Sequence, residues 1–133
     1  MTISDSMQTY SVRVETPDGT LFVHIIEDDE GNPVEVRLNI GKAGGPLQAW
    51  SSCAALLISL GLQKAANIYD MLETLCDIKA DKLTVSSGIP IYSGPDGLVQ
   101  AFLTYLKEKE HEKYGTGQTK ERRGFIKRLE ADS

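Results

Sequence analysis

Two stretches of this chain carry groups able to hold an anion. Gly41-Lys42-Ala43-Gly44-Gly45 sets three glycines around one lysine, just ahead of a helical pattern. Backbone N–H groups unobstructed by a Cβ, at the start of a helix, can cradle a phosphate, and Lys42 adds positive charge. The spacing is not that of a Walker loop, because no Gly-Lys-Ser/Thr follows, and it is not a dinucleotide fingerprint. The plainer reading is a sheet-to-helix connector that needs flexible residues. The second stretch is Lys120-Glu121-Arg122-Arg123-Gly124-Phe125-Ile126-Lys127-Arg128, five cations in nine residues of a chain whose net charge is −5. Guanidinium groups there can grip phosphate, RNA, DNA or an acidic protein surface. The nucleotide- or phosphate-binding set expected from these two stretches is Gly41, Lys42, Gly44, Gly45, Arg122, Arg123 and Lys127.

Covalent and metal chemistry find less support. No Gly-x-Ser-x-Gly elbow surrounds Ser51 or Ser52. His24 lies in a strand pattern and His111 in a charged helical one, so no Ser–His–acid triad can be built. The acidic run Glu27-Asp28-Asp29-Glu30-Gly31-Asn32 lacks the distal Glu of a calcium loop and reads as a solvated turn. Cys53 and Cys76 show no metal-ligand spacing and are expected as reduced thiols packed in helices. No catalytic residue, metal or cofactor is assigned, and an enzyme is not expected.

The elements that must position these groups divide into a β front and an α back. Residues 10–15, 20–27 and 34–40 alternate apolar and polar, and Val34, Val36, Leu38 and Ile40 share one face of the third. Pro17-Asp18-Gly19 and the acidic run supply short turns, so the strands form an antiparallel meander with one wet face. From Leu47 to Gln63 the spacing turns helical and is apolar nearly all round, which predicts the central core helix with Trp50 inside it. Asn67 is placed to cap a second helix carrying Ile68, Met71, Leu72 and Leu75. Residues 79–91 hold a short strand near Leu83–Val85 or only a loop.

Ser93-Gly94-Pro95-Asp96 fits a capping box, with the Ser oxygen accepting the amide of residue 96. It opens a helix whose stripe is Leu98, Val99, Phe102, Leu103 and Leu106 and which runs on into a charged stretch. The expected fold class is α+β: a three-stranded antiparallel meander packed against two to three helices, with a basic C-terminal segment. Residues 1–114 form the domain and 115–133 the segment. With 133 residues and 41% hydrophobic content, one domain with a real core is expected. No apolar run reaches the roughly 20 residues that span a bilayer, and the N-terminus lacks a signal pattern, so a cytoplasmic protein is expected. The edges of so small a sheet must be covered, which points to a homo-oligomer.

The order of these motifs resembles the TSCPD domain. A three-strand meander leads into Gly-Lys-Ala-Gly (41–44), a hydrophobic helix follows with Leu-Ile-Ser-Leu-Gly-Leu-Gln (57–63), and a second helix ends in Leu-Cys-Asp-Ile (75–78). Tyr92-Ser93-Gly94-Pro95-Asp96 then aligns with the Thr-Ser-Cys-Pro-Asp that names the family. The resemblance covers roughly residues 10–107. It implies a domain found at the C-terminus of adenosylcobalamin-dependent ribonucleotide reductases and as a small stand-alone protein. The family pattern carries three cysteines where this chain has Gly45 or Pro46, Ala80 and Gly94. Convergent thiolates bind soft metals or do redox chemistry, and Gly and Ala can do neither. The reductase barrel, with its radical-forming cysteines and cobalamin site, does not fit in this length.

The resemblance therefore implies a non-catalytic accessory binding module associated with nucleotide metabolism or nucleic acid. Its partner would be a nucleotide-metabolising protein, a nucleotide, or nucleic acid held by the basic segment. The alternative is a stand-alone oligomer that sequesters nucleotide signals, by fold-level analogy to small phage anti-defence sponges.

Overall fold

The computed structural model describes residues 8–41, 44–76 and 78–114. Of the expected binding residues, Lys42, Arg122, Arg123 and Lys127 lie outside the described residues, as does the whole 115–133 segment.

Strands β1 (Gln8–Thr16), β2 (Gly19–Glu27) and β3 (Pro33–Ile40) form one antiparallel sheet in the order β1-β2-β3. The register places Val12 opposite Val23, Val14 opposite Leu21, Val23 opposite Leu38 and Ile25 opposite Val36. One face is thus branched aliphatic from edge to edge, and Val23 and Ile25 have no solvent exposure at all. The other face is wet. There Ser11 meets His24 at 2.8 Å, Arg13 pairs with Glu15 and Arg37 with Glu35. The acidic run is a turn organised by Asp28, whose carboxylate accepts the amides of Glu30 and Asn32, with Gly31 in the left-handed region (φ +83°).

Helix α1 (Pro46–Gln63) is not the central core helix that its apolar content predicts. It lies along the free edge of β3 and turns its polar residues toward the sheet. Gln48 accepts the amide of Ile40 and donates to the carbonyl of Leu38, both at 2.9 Å. Ser59 accepts the amide of Val36 at 2.9 Å and donates to its carbonyl, and Gln63 donates to the carbonyl of Val34 at 3.0 Å. Backbone groups at alternate residues of an outer strand have no strand partner, and each one buried unpaired costs about 1–3 kcal/mol. Meeting that demand decides which side of α1 faces inward. Ala55 and Ile58 are buried beside Ser59, but the bulkiest apolar residues are left outside: Trp50 is 76% exposed, Leu56 72% and Leu57 65%. Cys53 is exposed as well, and only Cys76 is half-buried. The expectations of a buried Trp50 and of two packed thiols are corrected accordingly.

Helix α2 (Ile68–Leu75) begins at Asn67, whose side chain accepts the amides of Tyr69 and Asp70 as the sequence predicts, and it buries Leu72. A hairpin follows, β4 (Thr84–Ser86) and β5 (Ile89–Ile91), joined by Ser87-Gly88 with φ of +50° and +80°. Two consecutive positive φ values are what a tight two-residue hairpin turn requires. The Ser86 hydroxyl accepts the amide of Glu15, which ties β4 to β1.

Helix α3 (Gly94–Tyr114) lies across the apolar face of β1 and β2. Leu98, Val99, Ala101, Phe102 and Tyr105 are each at most 3% exposed. This is the core helix. Its far end is latched by a buried polar cluster. The Tyr105 hydroxyl donates to Glu27 at 2.5 Å, Lys109 pairs with the same carboxylate at 3.0 Å, and Tyr10 packs edge-on against the Tyr105 ring.

Candidate functional site

The start of α3 is where the family-like motif sits, and hydrogen bonds explain each of its polar residues. The Ser93 hydroxyl accepts the Asp96 amide at 3.0 Å and donates to the Ile78 carbonyl at 2.6 Å. Asp96 reaches back to accept the amide of Tyr92, one residue before the capping Ser93, at 2.9 Å, a variant of the capping box. Burial pushes the Asp96 carboxyl up from its ordinary value, against the opposing pull of the Tyr92 amide and the nearby Lys79 charge. Lys79 also stands over the Tyr92 ring, and the Ala80 amide donates to the Tyr92 carbonyl at 2.8 Å.

A residue 76 positions away completes this corner. Asp18, in the β1–β2 turn, accepts the Gly94 amide at 3.0 Å. A carboxylate at this point satisfies an orphan donor and sits at the positive end of α3. Gly97, one turn further on, lies so close to β1 that a Cβ there would stand 2.7 Å from the Thr16 methyl. The sequence shows Pro17-Asp18-Gly19 only as a turn, and nothing local marks Asp18 or Gly97 as partners across the chain.

Between this helix start and the start of α1 lies an apolar cavity of about 160 Å³, lined by Ile40, Leu47, Trp50, Leu98, Gly94 and Asp18 among others. Of the three stretches aligned above with the family cysteines, two reach the wall of this cavity and the third lies outside its lining. Leu47 follows Gly45 and Pro46 into the cavity wall, Gly94 lines it directly, and Ala80 is hydrogen-bonded two residues before Gly94. A side chain at 94 must also share space with Asp18, since a Cβ there lies 3.2 Å from the Asp18 carboxylate. Among the described residues, no cluster of His, Cys, Asp and Glu could hold a metal ion. Among the same residues, no helix is long and apolar enough to cross a membrane.

The glycine loop is placed beside the same corner. Gly41 and Gly44 take φ of +67° and +79°, backbone that favours glycine, and Gly45 is the N-cap of α1 with no side-chain cap. The first turn of α1 carries no acidic residue. Gly41, Gly44 and Gly45 are thus on one loop at a helix start.

The TSCPD domain model matches residues 3–106, well over half of the chain. Among curated proteins and among solved structures, none matches. The helix-opening Ser-Gly-Pro-Asp, the meander that precedes it and the span of that match lead to one assignment: the chain belongs to the TSCPD domain family.

Proposed function

We propose that this protein is a non-catalytic TSCPD accessory module linked to ribonucleotide reduction, acting in the cytoplasm by binding rather than by chemistry. One observation carries this reading. The polar groups that remain in the family motif, Ser93 and Asp96, are both engaged in holding the start of α3, while the reactive positions are Gly45 or Pro46, Ala80 and Gly94. The scaffold is kept and the thiols are not. What such a domain retains is its surface, and its partner is a nucleotide-metabolising protein, a nucleotide or a nucleic acid.

A second reading is favoured by the glycine loop. Two left-handed glycines ahead of an uncapped helix start, with no carboxylate in its first turn, suit a phosphate. A stand-alone protein that sequesters nucleotide signals, as small phage anti-defence proteins do, would use this loop with Lys42 and the cations Arg122, Arg123 and Lys127.

A thermal-shift series with ribonucleotides, deoxyribonucleotides and cyclic nucleotides separates the two. A ligand at one hundred times its dissociation constant stabilises by about 2.7 kcal/mol, a shift of several degrees. Such a shift for one nucleotide class, lost in Lys42→Ala or Arg122→Ala/Arg123→Ala, supports direct nucleotide binding. No shift with any class removes the sequestering reading. Sedimentation of the protein with a purified cobalamin-dependent reductase then tests the module, and absence of co-migration sinks that.

A further inference from the structure

Helix α1 is inverted for a surface helix. Its polar residues Gln48, Ser59 and Gln63 face the sheet edge beside the buried Ala55 and Ile58, while its bulkiest apolar residues face water. The exposed arc runs Ala49, Trp50, Cys53, Leu56, Leu57, Leu60 and then Lys64 just past the helix end. Trp50, Cys53, Leu57, Leu60 and Lys64 follow one another at intervals of three, four, three and four residues. That is the spacing of a coiled-coil seam, and here it lies on the solvent side. Between Pro46 and Gln63 the helix has no Asp, Glu, Lys or Arg.

We propose that this face is a self-association surface on which a second copy of the chain docks, α1 against α1 and antiparallel about a two-fold axis. Three observations select a second copy. The first is the seam itself. A two-fold centred on Ala55 sets Trp50 against Leu60 of the other copy and Cys53 against Leu57, so every exposed seam residue finds an apolar partner. The second is charge. A chain of net charge −5 meets its like with least repulsion through a face without carboxylates, and between Pro46 and Gln63 this face has none, its one charge being Lys64 at the end of the seam. The strongly cationic stretch 120–128 of the same chain, by contrast, finds no carboxylate there. The third is area. Trp50, Leu56, Leu57, Leu60 and Leu47, from 43% to 76% exposed, present on the order of 500–600 Å² of apolar surface, the upper end for a monomer. Two copies together reach about 1,000–1,200 Å², the lower bound of a specific interface. Opposed helix dipoles add to the preference for the antiparallel arrangement. The groove of about 580 Å³ between α1 and β3 includes Leu56 and Leu60, and its far wall carries Glu35 and Arg37, which border the apolar surface with charge.

This inference does not depend on the function proposed above. The test is the mass of the full-length chain by light scattering and sedimentation over a micromolar range, beside the fluorescence of Trp50, the single tryptophan. The expected result is a dimer with blue-shifted emission. Leu57→Glu should weaken dimerisation at least a hundredfold and shift Trp50 emission to the red, with circular dichroism unchanged. Leu60→Gln should do the same more mildly, which guards against a folding defect in the first variant. A wild-type monomer at high micromolar concentration overturns the proposal, whether Trp50 is then solvated or covered by another part of its own chain. A dimer that survives Leu57→Glu/Leu60→Glu overturns it too, because another surface would then hold the copies together.

Discussion

Helices α1 and α3 carry comparable apolar stripes and meet the same sheet in opposite ways. Helix α3 crosses the face of β1 and β2, where the strands present aliphatic side chains, and it buries Phe102 and Val99 completely. Helix α1 runs beside β3, where the strand presents unpaired N–H and C=O groups, and it answers with Gln48, Ser59 and Gln63. A sheet face selects the apolar side of a helix, and a sheet edge selects the polar side. Apolar content therefore says how much surface must be covered, not which element covers it.

The largest expected effect separates the two helices directly. Phe102→Ala removes a fully buried ring and should cost about 3–5 kcal/mol in urea denaturation, whereas Leu57→Ala, measured in dilute protein, should stay within about 0.5 kcal/mol. Equal losses at the two positions would mean that α1 is packed within its own chain.

Two helical glycines sharpen the contrast. In α3, Gly97→Ala gains about 1 kcal/mol of helix propensity but drives a methyl against the Thr16 methyl and, at 3.3 Å, Val14, an overpacking that costs about 1–3 kcal/mol. The variant should unfold at a lower temperature than the parent. In α1, the atom nearest a Cβ at Gly61 is the Met71 sulfur at 2.7 Å, the far end of a flexible side chain. Gly61→Ala should be neutral or slightly stabilising, because Met71 can turn away. A lower melting temperature for the α1 variant than for the α3 variant would reverse the reading of which helix is tightly packed.

The smallest effect concerns pH at the start of α3. Burial raises the Asp96 carboxyl above its ordinary 3.8, so the folded state holds that proton more tightly than the unfolded chain does. The charged form therefore opposes folding at neutral pH, and that opposition fades as pH falls through the folded-state value toward 3.8. Asp96→Asn keeps an acceptor for the Tyr92 amide without the charge. The stability of Asp96→Asn relative to the parent should be most favourable near pH 7 and decline on acidification. A difference that grows as pH falls would show that the raised carboxyl is not Asp96.

The elements were legible because their signals are local. Alternation marked the three strands to within two residues at each end, and Asn67 and Ser93 cap the helices that they were expected to cap. The motif at 92–96 pointed to the TSCPD family, and the family match spans the same region. The β4–β5 hairpin was half legible: one strand was entertained near Leu83–Val85, while the positive φ of Ser87 had no glycine or asparagine to announce it. The binding set divides by position, with Gly41, Gly44 and Gly45 on the loop before α1 and the cations outside the described residues.

What the sequence determined by itself was the three strands of the meander, the three helices and the caps that start two of them, since each follows from residues within a turn or a hairpin of one another. The tertiary structure alone decided the contacts between residues far apart. It set Asp18 on the amide of Gly94 and Thr16 against Gly97, and it brought Leu47 and Gly94 into the wall of one cavity. Above all it decided the facing of α1. Periodicity gives a helix its two sides, but only the neighbour that needs hydrogen bonds or needs covering determines which side turns inward.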